Sequence, residues 1–388
     1  MRSAGRGLGI AKSLKLSLGE DAGLGQDPFM RAKAISLLQE LTDAHAVSGH
    51  EDEVRAIFVN ELEECGELST DRNGSVFCEC GEDGPRVMIA GHMDEVGFFV
   101  QSITADGFVQ FVPIGGWAEQ NLLSQRVEIL TRAGNKILGV ISSCPPHFLP
   151  EAQKRQVMPI DRMWIDIGAS SRHEAMDALG VSLGDPIAPC SSFVAVNSED
   201  RFMAKAFDNR VGMAGVIQAG KILAQSMHPN RLVLCGTVQE EVGLRGAKTA
   251  AQVAKPDVVL VLEAPPADDS PGFPRGESQG SLGGGVQIRM YDPTAIANPR
   301  LAALAIQVAK AEGIPHQITV RRSGGTDAGA FHVANEGIPS LVLGVPTRYI
   351  HSHNGIVDLN DYVAMVDLVI ALTKRLDQAT VAGLTTYL

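Results

Sequence analysis

Cysteine is scarce in this 388-residue chain: there are six, with no Cys-x-x-Cys pair among them. That pattern argues against a disulfide framework or a zinc knuckle and favours a reducing, cytoplasmic location. Positive charge is also short, with 33 Lys and Arg against 45 Asp and Glu and a formal net charge of −12. Nucleic acid needs a basic face and an anionic membrane attracts one, so neither partner is expected. No apolar run approaches a membrane span in length. The chain's two tryptophans offer little for a sugar-stacking cleft. There is no repeat at solenoid periods, and no low-complexity tract beyond a glycine-rich stretch at 270–285.

What is present is ordinary for a globular protein: 45% hydrophobic and 20% charged residues. The length suffices for two domains with real cores. Residues 1–27 carry Arg2, Arg6, Lys12 and Lys15 before the first acid, Glu20. Lysines interrupt each apolar stretch there, so a secretory signal fails. The segment reads as a flexible N-terminal extension, with an organelle presequence or a misplaced start as alternatives.

Asp27-Pro28 reads as the N-cap and first-turn proline of a helix over 29–44. Ser48, with Glu51 three residues on, reads as a capping box opening a helix to about residue 64. Strands are expected at 75–80 and 86–90. From residue 97, β-type runs at 98–103, 108–112, 126–131, 136–141 and 163–167 alternate with Gly, Pro and Ser turns. This spacing suggests a small barrel or sandwich, interrupted by a short helix at 172–179. Helices then recur at 208–225, 245–254, 299–312, 327–335 and 361–375, between strands at 231–238, 257–262, 286–290, 317–321 and 340–345. The expected fold is α/β: a mostly parallel sheet covered by helices, with a small all-β barrel-like segment inserted.

The residues that could carry chemistry sit at expected strand ends. The run 86–90 leads into Gly91-His92-Met93-Asp94-Glu95, and alternate residues of an extended chain face the same way. A carboxylate beside an imidazole can fix its tautomer and leave the other nitrogen for a metal. Asp208 precedes a helix, Glu240-Glu241 follow the strand at 231–238, Glu263 closes the next, and His351 and His353 follow the last. Each has an ordinary reading, such as a helix cap for Asp208 or a solvated pair for Glu240-Glu241. Glu263 is odder, because an unpaired acid after four apolar residues is costly to bury. Five such segments at the carboxyl ends of one sheet form a pattern. Two histidines and three carboxylates suit two divalent ions, one carboxylate bridging, with Zn²⁺, Co²⁺ or Mn²⁺ fitting the N/O donors. The spare acid of the Glu240-Glu241 pair is then a natural general base.

These motifs resemble the M42 family of dinuclear metallo-aminopeptidases, in the wider clan with the M18, M20 and M28 peptidases. The matching stretches are 91–97, Phe207-Asp208-Asn209-Arg210, Glu240-Glu241-Val242-Gly243 and Tyr349-Ile350-His351-Ser352, with Asp166–Ser170, Gly184-Asp185-Pro186 and 323–328 in support. The resemblance implies that His92, Asp208 and Glu263 hold one metal and Asp208, Glu241 and His351 the other. It further implies that Asp94 orients His92, that Glu240 is the catalytic base, and that Asp208–Asn209 is a non-proline cis bond. Zn²⁺ is the first expectation for both sites. The implied substrates are short peptides trimmed from a free N-terminus. The implied domains are a catalytic one (28–97 with 194–388) and an inserted dimerisation domain (98–193), with the homo-oligomer a dimer or a tetrahedral dodecamer. The chain departs from the family at Glu263, where many members carry Asp, and at His353-Asn354-Gly355, where many show Pro-x-Glu; His353 is expected to replace a turn. The alternatives are a carboxypeptidase or deacylase of the same clan, supported only by Glu263, an endoglucanase-type glycosidase, which would leave His92 and His351 idle, and a catalytically silent shell-forming binding protein.

Overall fold

Apolar runs without alternation, such as Val258–Glu263, fold here as strands buried on both faces. The computed structural model describes residues 27–274 and 276–388; apart from Asp27, the expected N-terminal extension lies outside the described residues. Two of the expected helices come first, α1 (Pro28–Asp43) and α2 (Asp52–Leu62), then strands β1 (Glu67–Thr70), β2 (Val76–Cys80) and β3 (Arg86–His92). Asp27 caps α1 as expected, its carboxylate accepting from Phe29 N at 2.9 Å. The capping box at Ser48 does not form. Ser48 Oγ instead donates to Asp94 at 2.6 Å, Glu51 accepts from Gly49 N, and α2 begins only at Asp52.

After β3 the chain enters a closed barrel of six strands: β4 (Gly97–Ile103), β5 (Val109–Ile114), β6 (Arg126–Leu130), β7 (Lys136–Ile141), β8 (Ile165–Asp166) and β9 (Pro186–Pro189). Its core holds Phe98, Val100, Phe111, Val127, Ile129, Ile141, Ile165 and Ile187. Strand β9, with two prolines in four residues, was not among the expected strands. It nevertheless pairs with both β4 and β6 and so closes the barrel. The short helix expected at 172–179 is a single π-helical segment, Glu174–Ala178.

The chain returns through β10 (Val194–Ala195) and β11 (Arg201–Ala204), which form a small sheet with β18 (Gly355–Asp358). Between these come α3 (Phe207–Ala224), β12 (Arg231–Thr237), α4 (Arg245–Ala254), β13 (Val258–Glu263), β14 (Val286–Asp292), β15 (Ala295–Ile296), α5 (Pro299–Ala311), β16 (His316–Val320), α6 (Ala328–Phe331) and β17 (Ser340–Gly344). Helices α7 (Leu359–Thr373) and α8 (Gln378–Leu384) close the chain. The helix expected at 327–335 is thus a single turn, and α8 was not foreseen.

The nine-stranded sheet runs β1-β2-β12-β3-β13-β17-β14-β15, with β16 beside β14. It is parallel through its four central strands and antiparallel on both flanks at β2–β12 and β17–β14. The sheet is therefore mixed, with the expected parallel strands at its centre and antiparallel pairs on its flanks. Only the outermost pairs, β1–β2 and β14–β15, are joined by short local connections that need no crossover. Successive side chains divide between two cores. Val87, Ile89, Leu232, Leu234, Leu260 and Leu262 face α1, α3 and α7, while Met88, Ala90, Val233, Cys235, Val259 and Val261 face α4 and α6. Gly91 lets α3 lie close on the strand end, since a Cβ there would meet the Gly212 carbonyl carbon at 3.1 Å. Among the described residues no helix is long and apolar enough to cross a membrane.

Below the end of β3, Glu95 is 1% exposed and bonds Lys205 Nζ at 2.6 and 2.8 Å and Arg210 Nη2 at 3.0 Å. It ties the strand carrying His92 to the segment carrying Asp208. Glu95→Ala should cost about 3–5 kcal/mol, because two buried cations lose their shared counter-charge. A urea midpoint equal to that of the wild type would contradict this.

Candidate active site

The four central strands point their carboxyl ends the same way, and each delivers a polar side chain just beyond its last apolar residue. His92 closes β3 in register with Thr237 of β12, and Glu263 closes β13. Glu240 and Glu241 lie in the turn after β12, His351 in the loop between β17 and β18, and Asp208 at the start of α3. The peptide bond Asp208–Asn209 is cis, as the resemblance implied. Asp208 does not serve as the cap of its helix.

Asp208 stands between the two histidines. Its Oδ1 is 3.3 Å from His92 Nε2 and its Oδ2 is 3.5 Å from His351 Nε2. His92 Nε2 also lies 3.8 Å from Glu263 and 4.0 Å from Glu240, while His351 Nε2 lies 3.3 Å from Glu241. Two donor clusters result, His92–Asp208–Glu263 and Asp208–Glu241–His351, each with ligand atoms within 4.8 Å of one another. The atoms of His92, Glu240 and Glu241 are equally close, so all the acids share one small volume.

Both imidazoles are held by backbone carbonyls. His92 Nδ1 is 3.0 Å from the Asp94 carbonyl oxygen and His351 Nδ1 is 2.8 Å from that of Gly116. With each Nδ1 facing a carbonyl, Nε2 is the nitrogen that each ring turns toward the carboxylates. The Asp94 carboxylate is farther from His92, at 3.4 Å. It accepts instead from Ser48 Oγ at 2.6 Å and from the backbone N–H groups of Glu240 (2.9 Å) and Glu241 (3.2 Å). Asp94 thus holds the turn of the two glutamates at least as firmly as the imidazole. His353 lies apart, buried at 2% exposure, with its ring 5.8 Å from Trp117 and a bend as its backbone conformation.

The electrostatics call for cations. Burial raises Glu240 well above the usual carboxylate range, raises Glu241 and lifts Glu263 to about 8, with neighbouring acids adding to each shift. Burial opposes the imidazolium form, but the surrounding carboxylates outweigh it, so His92 is raised and His351 reaches about 11. Glu263 Oε1 is buried without a hydrogen-bond partner. Two imidazole and three carboxylate ligands, all N and O donors with one acid shared, fit two divalent ions of the zinc type.

The clusters open into a cavity of about 450 Å³ whose far side includes Arg289, Thr294 and residues 323–326. Sequence reading passed over Arg289, although Gln287 and Arg289 are two polar residues on one face of an otherwise apolar strand. It is 5% exposed, lies 3.3 Å from Asp292, and its Nε has no hydrogen-bond partner. Asp327, from the motif at 323–328, is buried beside the site, accepts from Thr237 Oγ1, and is pushed by burial to about 6. Gly116 left no trace in the sequence, because its contribution is a carbonyl.

Known proteins share both the fold and the sequence. A glutamyl aminopeptidase of Lactococcus lactis subsp. cremoris is 35% identical over 90% of this chain and 98% of its own. The crystal structure of a TET aminopeptidase from the marine sediment archaeon Thaumarchaeota archaeon SCGC AB-539-E09 superposes with a TM-score of 0.88 at 44% identity, covering 91% of this chain and all of that one. A structure described as PhTET1-12s, a dodecamer in the asymmetric unit, gives 0.78 at 32% identity over 87% and 98% of the two chains. The family profile described as M42 glutamyl aminopeptidase matches residues 74–368. With this match and these relatives, the chain belongs to the M42 peptidase family, whose members are metal-dependent aminopeptidases.

Proposed function

We propose that the protein removes N-terminal residues from short peptides, with His92, Asp208 and Glu263 holding one divalent ion, Asp208, Glu241 and His351 the other, and Glu240 as the base. The observation that carries this reading is the single carboxylate of Asp208 turned toward both imidazoles, with Glu240 left over 4.0 Å from His92. Divalent ions held there, Zn²⁺ first with Co²⁺ or Mn²⁺ as alternatives, would supply Lewis acidity toward the scissile carbonyl and lower the pKa of a water. Glu240 would take a proton from the attacking water and return it to the departing amine. Asp94 keeps Glu240 in place by accepting from its backbone N–H and, through its own carbonyl, holds Nδ1 of His92 so that Nε2 faces the site. The glycosidase alternative would leave both histidines without work, and no geometry favours it.

Arg289 suggests which peptides are taken. The Arg289 guanidinium, a buried cation in the wall of the cavity, suits an acidic side chain on the residue released. The two readings share one experiment: protein reloaded with Zn²⁺ or Co²⁺ is given a peptide library and the products are read by mass spectrometry. Stepwise loss from free N-termini is expected, acidic residues first, with N-acetylated peptides untouched. Protein that cleaves no peptide and no aminoacyl-p-nitroanilide would end the aminopeptidase reading. Arg289→Met should reduce release of Glu and Asp about tenfold or more relative to neutral residues. Asp292 keeps its bonds from Thr294 and Ala295 in that variant. An unchanged ranking would remove Arg289 from specificity.

The same reading divides the chain into a catalytic domain (28–97 with 194–388) and an inserted domain (98–193) that pairs subunits. The homo-oligomer is a dimer that can build a tetrahedral dodecamer, as the similarity to a dodecameric TET structure supports. A cytoplasmic location fits six cysteines that all carry free thiols.

A further inference from the structure

The barrel reaches the site through the turn after β5. After β5 the chain turns through Gly115 and Gly116, and the Gly116 carbonyl accepts from His351 Nδ1 at 2.8 Å. Side chains would crowd this turn. A Cβ on Gly116 would lie 3.3 Å from His351 Nδ1, and one on Gly115 would lie 2.6 Å from Val96 and 3.4 Å from Glu241 Oε2. Gly115 also has φ +75°, where a side chain is strained. The next residue, Trp117, stacks on Phe98 of β4 with ring centroids 4.8 Å apart and planes 21° apart, and its Nε1–H donates to the Gly97 carbonyl at 3.1 Å. His351 needs such support. Its side chain is 33% exposed, and both His351 and Tyr349 have positive φ, at 54° and 58°, which non-glycine residues adopt only where the surroundings hold them. His92, by contrast, is almost fully buried and held from its own strand.

We propose that Trp117 is a positioning residue for the second cation: by fixing the Gly116 carbonyl against Nδ1, it turns Nε2 of His351 toward Asp208 and Glu241. This rests on the metal assignment above and extends it by making the Asp208–Glu241–His351 site, but not the His92 site, depend on the barrel. The test is equilibrium binding of Zn²⁺ or Co²⁺ to the full chain, with far-UV circular dichroism as the fold check. Wild type should bind two ions. Trp117→Ala should keep one at wild-type affinity and weaken the other by about 10- to 100-fold. Trp117→Phe, which keeps the stacked ring but lacks the indole N–H, should recover most of that loss. Gly116→Ala should weaken the same site without touching Trp117. His351→Ala defines that site independently, and adding Trp117→Ala to it should cause no further loss of binding, since the two changes act on one interaction. Two ions bound at wild-type affinity by folded Trp117→Ala would overturn the proposal. So would equal weakening of both sites, or a further loss on adding Trp117→Ala to His351→Ala. If Trp117→Ala does not fold, Gly116→Ala decides the matter by the same criteria. Wild type binding no ion would overturn the metal assignment itself, a different pattern from either failure above.

Discussion

Glu240→Gln is expected to leave two ions bound and to lower turnover by about 10² to 10⁴-fold. The amide keeps the size of the side chain and its place in the turn, because the backbone N–H that Asp94 holds is unchanged. What it loses is the ability to take a proton from water and hand it to the leaving amine. Glu240 belongs to neither three-residue cluster built on Asp208, so metal content should not follow activity down. The measurement pairs metal analysis with steady-state rates on a good peptide. A variant as active as the wild type would remove Glu240 as the base. A variant that had lost an ion would instead make Glu240 a ligand.

Asp208→Ala should have the largest effect on metal binding, with both sites emptied and activity falling below detection. Every other ligand serves one of the two proposed sites, whereas the oxygens of Asp208 face His92 on one side and His351 on the other. Its carboxyl is held well below its usual pKa, since bonds to the two imidazoles outweigh its burial. Removing it takes one negative charge from between both prospective ions and one ligand atom from each. Equilibrium dialysis against Zn²⁺ checks the outcome, and one site retained at full affinity would show that Asp208 does not bridge.

The central strands were readable because burial on both faces leaves unbroken apolar runs, and the polar residues that break those runs at His92 and Glu263 marked the strand ends. From there the candidate ligand set follows the topology, since parallel strands deliver their carboxyl ends to one edge. What the sequence concealed was of another kind. Ser48 and Glu51 have the spacing of a capping box, yet a buried Asp94 competes for the Ser48 hydroxyl. Pro186 and Pro189 suggest a turn but close a barrel whose other strands outweigh local propensity. The support given by Gly116 is a main-chain carbonyl reaching across 235 residues, and no side-chain pattern encodes it. Arg289 was legible only as a second polar residue on a strand face.

The order in which the sheet uses the chain bears on how the protein is made. The two histidines, His92 and His351, are separated by 259 positions and by nearly every other element of the fold. At a synthesis rate of about 5–20 residues per second, roughly 13–50 seconds pass between the appearance of the first and the second. Throughout that interval the loop carrying His351 has not been made, so the proposed hydrolytic centre is incomplete. A peptidase laid out this way cannot act on neighbouring nascent chains before its second histidine has appeared.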